Sequence, residues 1–186
     1  MSKIERFLRH GNPENVMSHI PKMRDPAKIT IAFQHDKPEV RYAASEALGK
    51  LGPEHLAKLL AHHHPEVFGH AERELIRIGS SAAPHVAKML ENDEHHARWY
   101  AAYILGKIGP TAAPFAKNIA EHALTHKNWH TATTAAKALE EIGNPEVLPQ
   151  LQKALESEKN SRPREPVLRV QIRAAIAKLK KKQKRS

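Results

Sequence analysis

One short helical pattern recurs five times along the 186-residue chain and constrains its fold more than any other feature. The pattern is V-R-x-x-A-x-x-A-L-G-x-L-G, and the last copy lacks the terminal glycine. Its apolar positions fall at i, i+4, i+7, i+8 and i+11, which form one stripe of an α-helix. Repeats of this period predict stacked units, because no unit buries its apolar face alone. The copies span residues 40–52, 67–79, 97–109, 131–143 and 168–179.

The residues between successive copies predict a second, shorter helix that returns beside the first. Two of these segments, SSAAPHVAKMLEN and PTAAPFAKNIAEHAL, carry Ala-Ala-Pro at the same offset. Each glycine of a copy is expected to stop a helix, since glycine tolerates positive φ. Each nearby proline suits the first turn of the next helix, where no N–H is needed. Every unit is therefore predicted to be helix, tight turn, helix.

The two ends of the chain depart from the repeat. KIERFLRHG and PENVMSHIPKM predict a divergent helical pair, and DPAKITIAFQH predicts the second helix of a degenerate unit. Together they are interpreted as an N-terminal helical cap over the first repeat. We divide the single domain into a capped repeat body, residues 1–161, and a final repeat helix with a basic tail, residues 162–186. That helix is expected to fray into KLKKKQKRS, from Lys178 onward.

The stretch D-x-x-x-V-R-x-x-A-x-x-A-L-G-K at residues 36–50 returns at residues 93–107. It resembles the HEAT-like repeats of the phycobilisome-lyase (PBS lyase) type, over roughly residues 25–180. The resemblance implies an all-α, right-handed α-α superhelix, a HEAT-like solenoid of about five helical hairpins with an N-terminal helical cap. It implies no single activity, because the family includes scaffolds, chaperone-like adaptors, lyase subunits and nucleic-acid binders.

Positive charge is concentrated at the C-terminal end. Ten of the 30 Lys and Arg but one of the 20 Asp and Glu lie from Arg162 onward, so this end carries +9 and residues 1–161 carry +1. On a helix, many of these cations lie beside the apolar stripe that docks the last repeat. They could bind phosphates or an acidic protein, or form a solvated tail. The candidate polyanion-binding residues are Arg169, Arg173, Lys178, Lys180, Lys181, Lys182, Lys184 and Arg185.

Aromatic residues, few in the whole chain, cluster around the third copy and at the start of the next. Core positions there are taken by Ala101, Ile104 and Leu105, so Trp99 and Tyr103 are predicted to lie partly outside the buried stripe. Large aromatics in such places either anchor a partner or fill gaps between repeats. We expect a partner along the surface of the second helices. The candidate partner-binding residues are Trp99, Tyr100, Tyr103 and Trp129, with His85 and Phe115 on consecutive second helices.

Polar residues also recur at the junctions before the first helices. Asp36 with Arg41 and Asp93 with Arg98 share one spacing, and we interpret each aspartate as a helix cap and each arginine as a brace between repeats, with anion capture as the alternative. Junction histidines have three interpretations: they bind a metal such as zinc, they titrate together near pH 6.5, or they fill polar turns. Repeats lie about 10 Å apart, too far for a tetrahedral site, so no metal is expected. These histidines are His35, His62, His63, His64, His95, His96 and His126.

Catalysis finds little support in the sequence. There is no cysteine, and no Gly-rich phosphate loop, G-x-S-x-G or H-E-x-x-H motif. Deoxyhypusine hydroxylase, a HEAT-like enzyme, uses adjacent His-Glu pairs as iron ligands, and this chain has no His-Glu dipeptide. The sequence offers neither a cysteine nor a dense cluster of aromatic residues that would support chromophore handling. The repeats predict an open curved surface instead of a cleft.

These patterns predict a non-catalytic scaffold or adaptor that binds a protein partner. The alternative is nucleic-acid binding through the basic C-terminal helix and tail, and a weaker one is a lyase or metal-dependent enzyme subunit. No cofactor and no small-molecule ligand is expected. No stretch approaches the roughly 18 apolar residues of a membrane span, and the N-terminus lacks a secretory apolar core, so we expect a cytoplasmic protein.

Overall fold

A computed structural model describes residues 1–160 and 165–184, apart from the side chains of residues 95, 159 and 160. Every regular element in these ranges is helical, which confirms the all-α prediction. The chain divides into two compact units, Met1–Arg77 and Ile78–Ser186. Within each unit, helices stack as hairpins in the manner of a HEAT-like solenoid.

The first unit contains the divergent N-terminal helices and the first full repeat. Helix α1 packs against α3, and α2 packs against α4. Helix α3 also packs against α4, so α1 lies on the segment predicted to be the second helix of the degenerate unit. Side chains of Ser2, Asn12 and Asp25 cap α1, α2 and α3. The helices are α1 Lys3–His10, α2 Pro13–His19, α3 Pro26–Ile31, α4 Pro38–Leu51, α5 Pro53–Lys58 and α6 Pro65–Ile78, whose last residue belongs to the second unit.

The second unit stacks three long first helices, with α10 packed between α8 and α12. The shorter second helices lie between them in the chain, and α12 also packs against α11. Small residues line the α8 core face, so the helices approach closely. The helices are α7 Ala83–Lys88, α8 His95–Ile108, α9 Ala116–Asn118, α10 Trp129–Ile142, α11 Leu148–Asn160 and α12 Pro166–Gln183.

The glycines of the repeat have two roles: some end helices, as the sequence predicted, and another allows two helices to pack closely. Glycines at the ends of the first four copies take positive φ, as expected of residues that end helices: Gly52, Gly79, Gly109 and Gly143. The prediction was wrong for Gly49 and Gly106, which lie inside α4 and α8. A Cβ on Gly106 would lie 2.9 Å from the Cα and Cβ of Ala138, so this glycine permits close contact between α8 and α10.

The second half of the third hairpin differs from the single helix predicted for it. Its chain runs as a 3₁₀ segment, Gly109–Phe115, then the one-turn α9, then a π-helix, Ile119–Ala123. Pro114 lies inside the 3₁₀ segment instead of opening an α-helix. Proline there lacks an N–H and clashes with the preceding turn, so the α-helix begins only after it.

The last helix is longer than predicted. It remains helical through Gln183 instead of fraying from Lys178 onward. Lys182 Nζ donates to the carbonyl of Gly143 at 2.8 Å, which ties this turn to the end of α10. On its apolar face Leu168, Ile172, Ala175 and Leu179 are buried, whereas Ile176 is partly exposed.

Candidate functional site

Three aromatic side chains form one cluster on α8. Trp99 stacks on Tyr103 with ring centroids 5.6 Å apart and planes inclined by 2°, and it meets Tyr100 edge-on at 4.7 Å. All three are partly buried, while the neighbouring Ala101 and Ile104 are fully buried. The cluster therefore lies beside the core stripe, as the sequence predicted for Trp99 and Tyr103.

Two shallow grooves flank Trp99, which forms a wall of each. One, of about 190 Å³, runs past Tyr103 and Lys107 to Ala138 and Glu141 of α10. The other, of about 340 Å³, passes Tyr100 and reaches the start of α10. Lys107 Nζ lies 5.4 Å from the Tyr103 ring centroid and 3.6 Å from Glu141, so the first groove has a polar edge. The arrangement suits an inserted apolar side chain with polar groups around it.

The other predicted partner-binding residues are not part of this cluster. Trp129 begins α10 and lines neither groove, but His130, on which it stacks with centroids 3.5 Å apart, lines the second one. His85 lies on α7 and Phe115 ends the 3₁₀ segment, each partly buried. The aromatic cluster belongs to a first helix, whereas His85 and Phe115 lie in second-helix segments, and a partner surface along the second helices stays a prediction. Apolar spacing locates the buried stripe but leaves open which neighbour each flanking side chain faces.

Each junction arginine braces the turn before its own helix. Arg41 donates to the carbonyls of His35, at 2.6 Å, and Asp36, at 3.0 Å, and pairs with Glu66 of the next repeat. Arg98 donates to the carbonyls of Asn92 and Asp93. Burial alone would raise the pKa of Glu66, but hydrogen bonds from its own backbone and from Arg41 hold it below the ordinary value.

The predicted aspartate caps are absent from these two turns. The N-cap positions of α4 and α8 are Lys37 and Glu94, and neither helix start is capped by a side chain. The Asp36 carboxylate instead lies 3.0 Å from His35 Nδ1. The arginines therefore brace the turns, and the aspartates do not act as N-caps.

The junction histidines have a specific role in the turns. His35, His62 and His126 each accept a hydrogen bond at Nδ1 from the N–H two residues later, at 3.0, 3.3 and 3.1 Å. Asn92 accepts the same bond through Oδ1 at 3.0 Å. All four precede the first residue of a long helix by three positions. Within the described residues, no three His, Cys, Asp or Glu side chains come together as a metal site.

Most of the predicted cations on α12 are exposed. Arg173, Lys178, Lys180, Lys181 and Lys184 point into solvent, while Arg169 is partly buried. Lys182 is engaged with Gly143, so it serves the fold as well as the charge. Arg185 lies outside the described residues. The first turns of this helix also expose Val167 and Val170.

A cavity of about 430 Å³ contradicts the expectation of an open surface without a cleft. It lies among the π-helix, α11, α10 and α12. Its lining includes Gln150 and Glu158 from α11 and Leu168 and Ile172 from α12. Sequence reasoning missed it because the π-helix that forms one of its walls has no distinctive sequence signal.

Comparisons with known proteins support the fold. Residues 88–170 match the model of the HEAT repeats family. Two engineered proteins of known crystal structure align with TM-scores of 0.55 and 0.54, at 18% and 16% identity. The first alignment covers 97% of this chain and 100% of the engineered one, and the second covers 97% and 98%. A designed armadillo repeat protein, solved in complex with the peptide (KR)4, aligns with a TM-score of 0.53 at 16% identity, covering 95% of this chain and 90% of that one.

The class of protein is therefore an all-α, HEAT-like repeat solenoid. At these identities the likeness extends to the fold alone. No curated protein matches the chain in sequence. Among the described residues, no helix is both long and apolar enough to cross a membrane.

Proposed function

We propose that the chain is a non-catalytic scaffold that binds a protein partner through the aromatic cluster of α8. The observation that carries the proposal is Trp99, a large side chain left partly exposed between two grooves. Tryptophan and tyrosine in such positions supply much of the binding energy at protein interfaces. The partner segment inserts an apolar side chain beside Trp99 and pairs polar groups with Lys107 and Glu141.

Two further points support a scaffold. Within each unit the helical hairpins stack side by side, and stacked repeats commonly bind partners along their surfaces. The designed armadillo protein, with a similar fold, was solved with a bound peptide, so a solenoid of this kind can hold an extended chain. We propose in addition, from the repeat motif, that the repeats are of the PBS-lyase type. We also propose that the protein is cytoplasmic.

The proposal is tested by alanine substitution with a matched control. Trp99→Ala and Tyr103→Ala remove the cluster, while Tyr42→Ala removes the tyrosine that occupies the Trp99 position of the first repeat. A partner is first captured with the parent chain from the source organism, identified by mass spectrometry and purified. We expect Trp99→Ala to weaken its affinity by about 30-fold, the effect of losing a contact of roughly 2 kcal/mol, and Tyr42→Ala to leave it unchanged.

Circular dichroism melting shows whether each variant remains folded. Because Trp99 lies outside the buried stripe, the helical signal should persist in the variant. A folded Trp99→Ala variant that binds the purified partner as tightly as the parent would show that the cluster only fills space between repeats.

A second candidate function is binding of a polyanion, such as nucleic acid, along α12. The five exposed cations on this helix favour it, because phosphate contacts by Lys and Arg dominate nonspecific nucleic-acid binding. A lyase or metal-dependent subunit is the weakest alternative. Metal analysis of purified, untagged protein tests it, and a stoichiometric bound metal would displace the non-catalytic proposal.

A further inference from the structure

The 430 Å³ cavity of the second unit is lined by other residues than the aromatic cluster. Its volume falls in the range of about 300–1,000 Å³ that is usual for small-molecule pockets. None of the aromatic residues of α8 lines it. It therefore calls for an explanation of its own, beyond the proposed scaffold function.

One wall of the cavity is a single face of α11. Gln150, Lys153, Ala154, Ser157 and Glu158 recur at three- and four-residue steps, so their side chains project to the same side. Gln150 Oε1 and Glu158 Oε2 are buried and have no hydrogen-bond partner. They lie two helical turns apart, about 12 Å along the axis. Buried acceptors normally have a donor, so this wall is missing donors that a ligand can supply.

A second wall is formed by the π-helix Ile119–Ala123 and the turn after it. The second helices of the two preceding hairpins end in tight 3₁₀ turns, at Leu59–Ala61 and Met89–Glu91. The π-helix is wider, and Ala120 and Glu121 within it and Leu124 just after it line the cavity. Single-turn π-helices are rare and occur frequently at functional sites. This local departure from the repeat coincides with the cavity.

The chemistry of the lining selects a class of ligand. Small and aliphatic side chains, including Ala132, Leu168 and Ile172, form an apolar surface. Glu121 and Lys153 at the cavity are both exposed to solvent, and His126 also lines it, whereas Glu158 is partly buried and is the carboxylate that reaches inside. An apolar surface with an unpaired buried carboxylate oxygen suits a cation that has N–H donors and a hydrocarbon body.

We propose that this cavity binds an amphiphilic organic cation, a primary amine or guanidinium attached to an apolar body. The charged head donates to Glu158 Oε2, and the body lies against Leu168 and Ile172. Gln150 Oε1 accepts a second donor where the ligand carries one. The head belongs either to a free amine or to a Lys or Arg side chain of a bound peptide.

Isothermal titration of the full chain with two probes of matched shape tests the site. The cationic probe is 4-phenylbutylamine, and the anionic one is 5-phenylpentanoate. We expect the amine to bind at least tenfold more tightly than the carboxylate, because the carboxylate would face Glu158 and Glu121. Equal affinity for the two probes, or binding of neither, would overturn the proposal.

Variants on α11 locate the binding. Glu158→Gln should weaken amine binding at least tenfold, whereas Glu156→Gln, on the exposed face of the same helix, should not change it. Ala154→Leu fills the cavity and should abolish binding. Because Glu158 Oε2 has no partner, Glu158→Gln should not lower the melting temperature. Unchanged amine affinity in the Glu158→Gln variant would refute the site.

Two further experiments distinguish a small-molecule ligand from a peptide side chain, and the cavity proposal from the scaffold proposal. An acetylated, amidated pentapeptide with one central lysine competes with 4-phenylbutylamine. Tighter binding of the peptide assigns the head to a partner's side chain, and tighter binding of the amine assigns it to a small molecule. Trp99→Ala should leave amine binding unchanged, so failure of the scaffold proposal and failure of this one are told apart.

Discussion

At the scale of single residues, one polar acceptor organises the turns between repeats. His35, His62, Asn92 and His126 occupy the same position before a long helix, and each accepts from the N–H two residues later. The Nδ1 of histidine stands where Oδ1 of asparagine stands, so the two residue types are interchangeable there. This turn role accounts for three of the 14 histidines without invoking a metal.

An acceptor histidine makes stability depend on pH. Burial lowers the pKa of His62. The neighbouring His64 and His63 lower this pKa further, and Glu66 opposes them. In the unfolded chain its pKa is near 6.5. The unfolded chain therefore takes up the proton at higher pH than the folded chain does. This contribution to stability is full above pH 6.5 and is lost as pH falls through the lowered folded pKa.

Replacing His62 tests this role. His62→Asn keeps an acceptor that does not titrate, so we expect it to remove part of the fall in unfolding free energy below pH 6.5. His70 retains its own share, because burial lowers its pKa as well. His62→Ala loses the acceptor and should cost about 0.5–2 kcal/mol at pH 7.5. Urea denaturation at several pH values measures these effects, with His10→Asn as the exposed control.

At the scale of helices, a glycine inside α8 sets its contact with α10. Both Gly49 and Gly106 precede a helix-ending glycine by three residues, yet their surroundings differ. A Cβ at Gly106 meets the backbone and Cβ of Ala138 at 2.9 Å, while at Gly49 it meets the Leu56 side chain at 3.2 Å. Backbone cannot move aside as a leucine terminus can, so the same sequence signal carries different packing constraints.

Alanine at the two positions distinguishes them. Gly106→Ala should destabilise the protein by about 1–3 kcal/mol, because α8 and α10 must separate. Gly49→Ala should be close to neutral, since Leu56 can shift and alanine favours the helix by about 1 kcal/mol. Thermal melts followed at 222 nm measure both. Equal effects of the two substitutions would contradict a special contact at Gly106.

At the scale of the whole molecule, the net positive charge is concentrated at one end of the repeat array. The repeats extend along the chain, but nearly all the net charge of +10 lies from Arg162 onward. Five of these cations are exposed on α12, while Lys182 is used to hold that helix to Gly143. A test of polyanion binding must therefore remove charge without removing Lys182.

The charge test replaces Lys178, Lys180, Lys181 and Lys184 with glutamine and keeps Lys182. If the parent binds duplex DNA, its affinity should fall steeply with salt, and the slope of log affinity against log salt should decrease by up to about 4 in the variant. Fluorescence anisotropy at several salt concentrations measures the slope. Absence of salt-dependent binding by the parent to DNA and RNA would eliminate this function.

The repeat motif alone determined the class of fold and the ends of the first four repeat helices, because apolar spacing and glycine conformation act over one or two turns. It also placed Trp99 and Tyr103 beside the core, since their neighbours at core spacing were already apolar. Only the tertiary structure decided which helices these aromatics face, which glycine permits close contact and where a π-helix lines a cavity. Those features depend on atoms from segments about 30 residues apart coming within a few ångströms, and no local pattern records that distance.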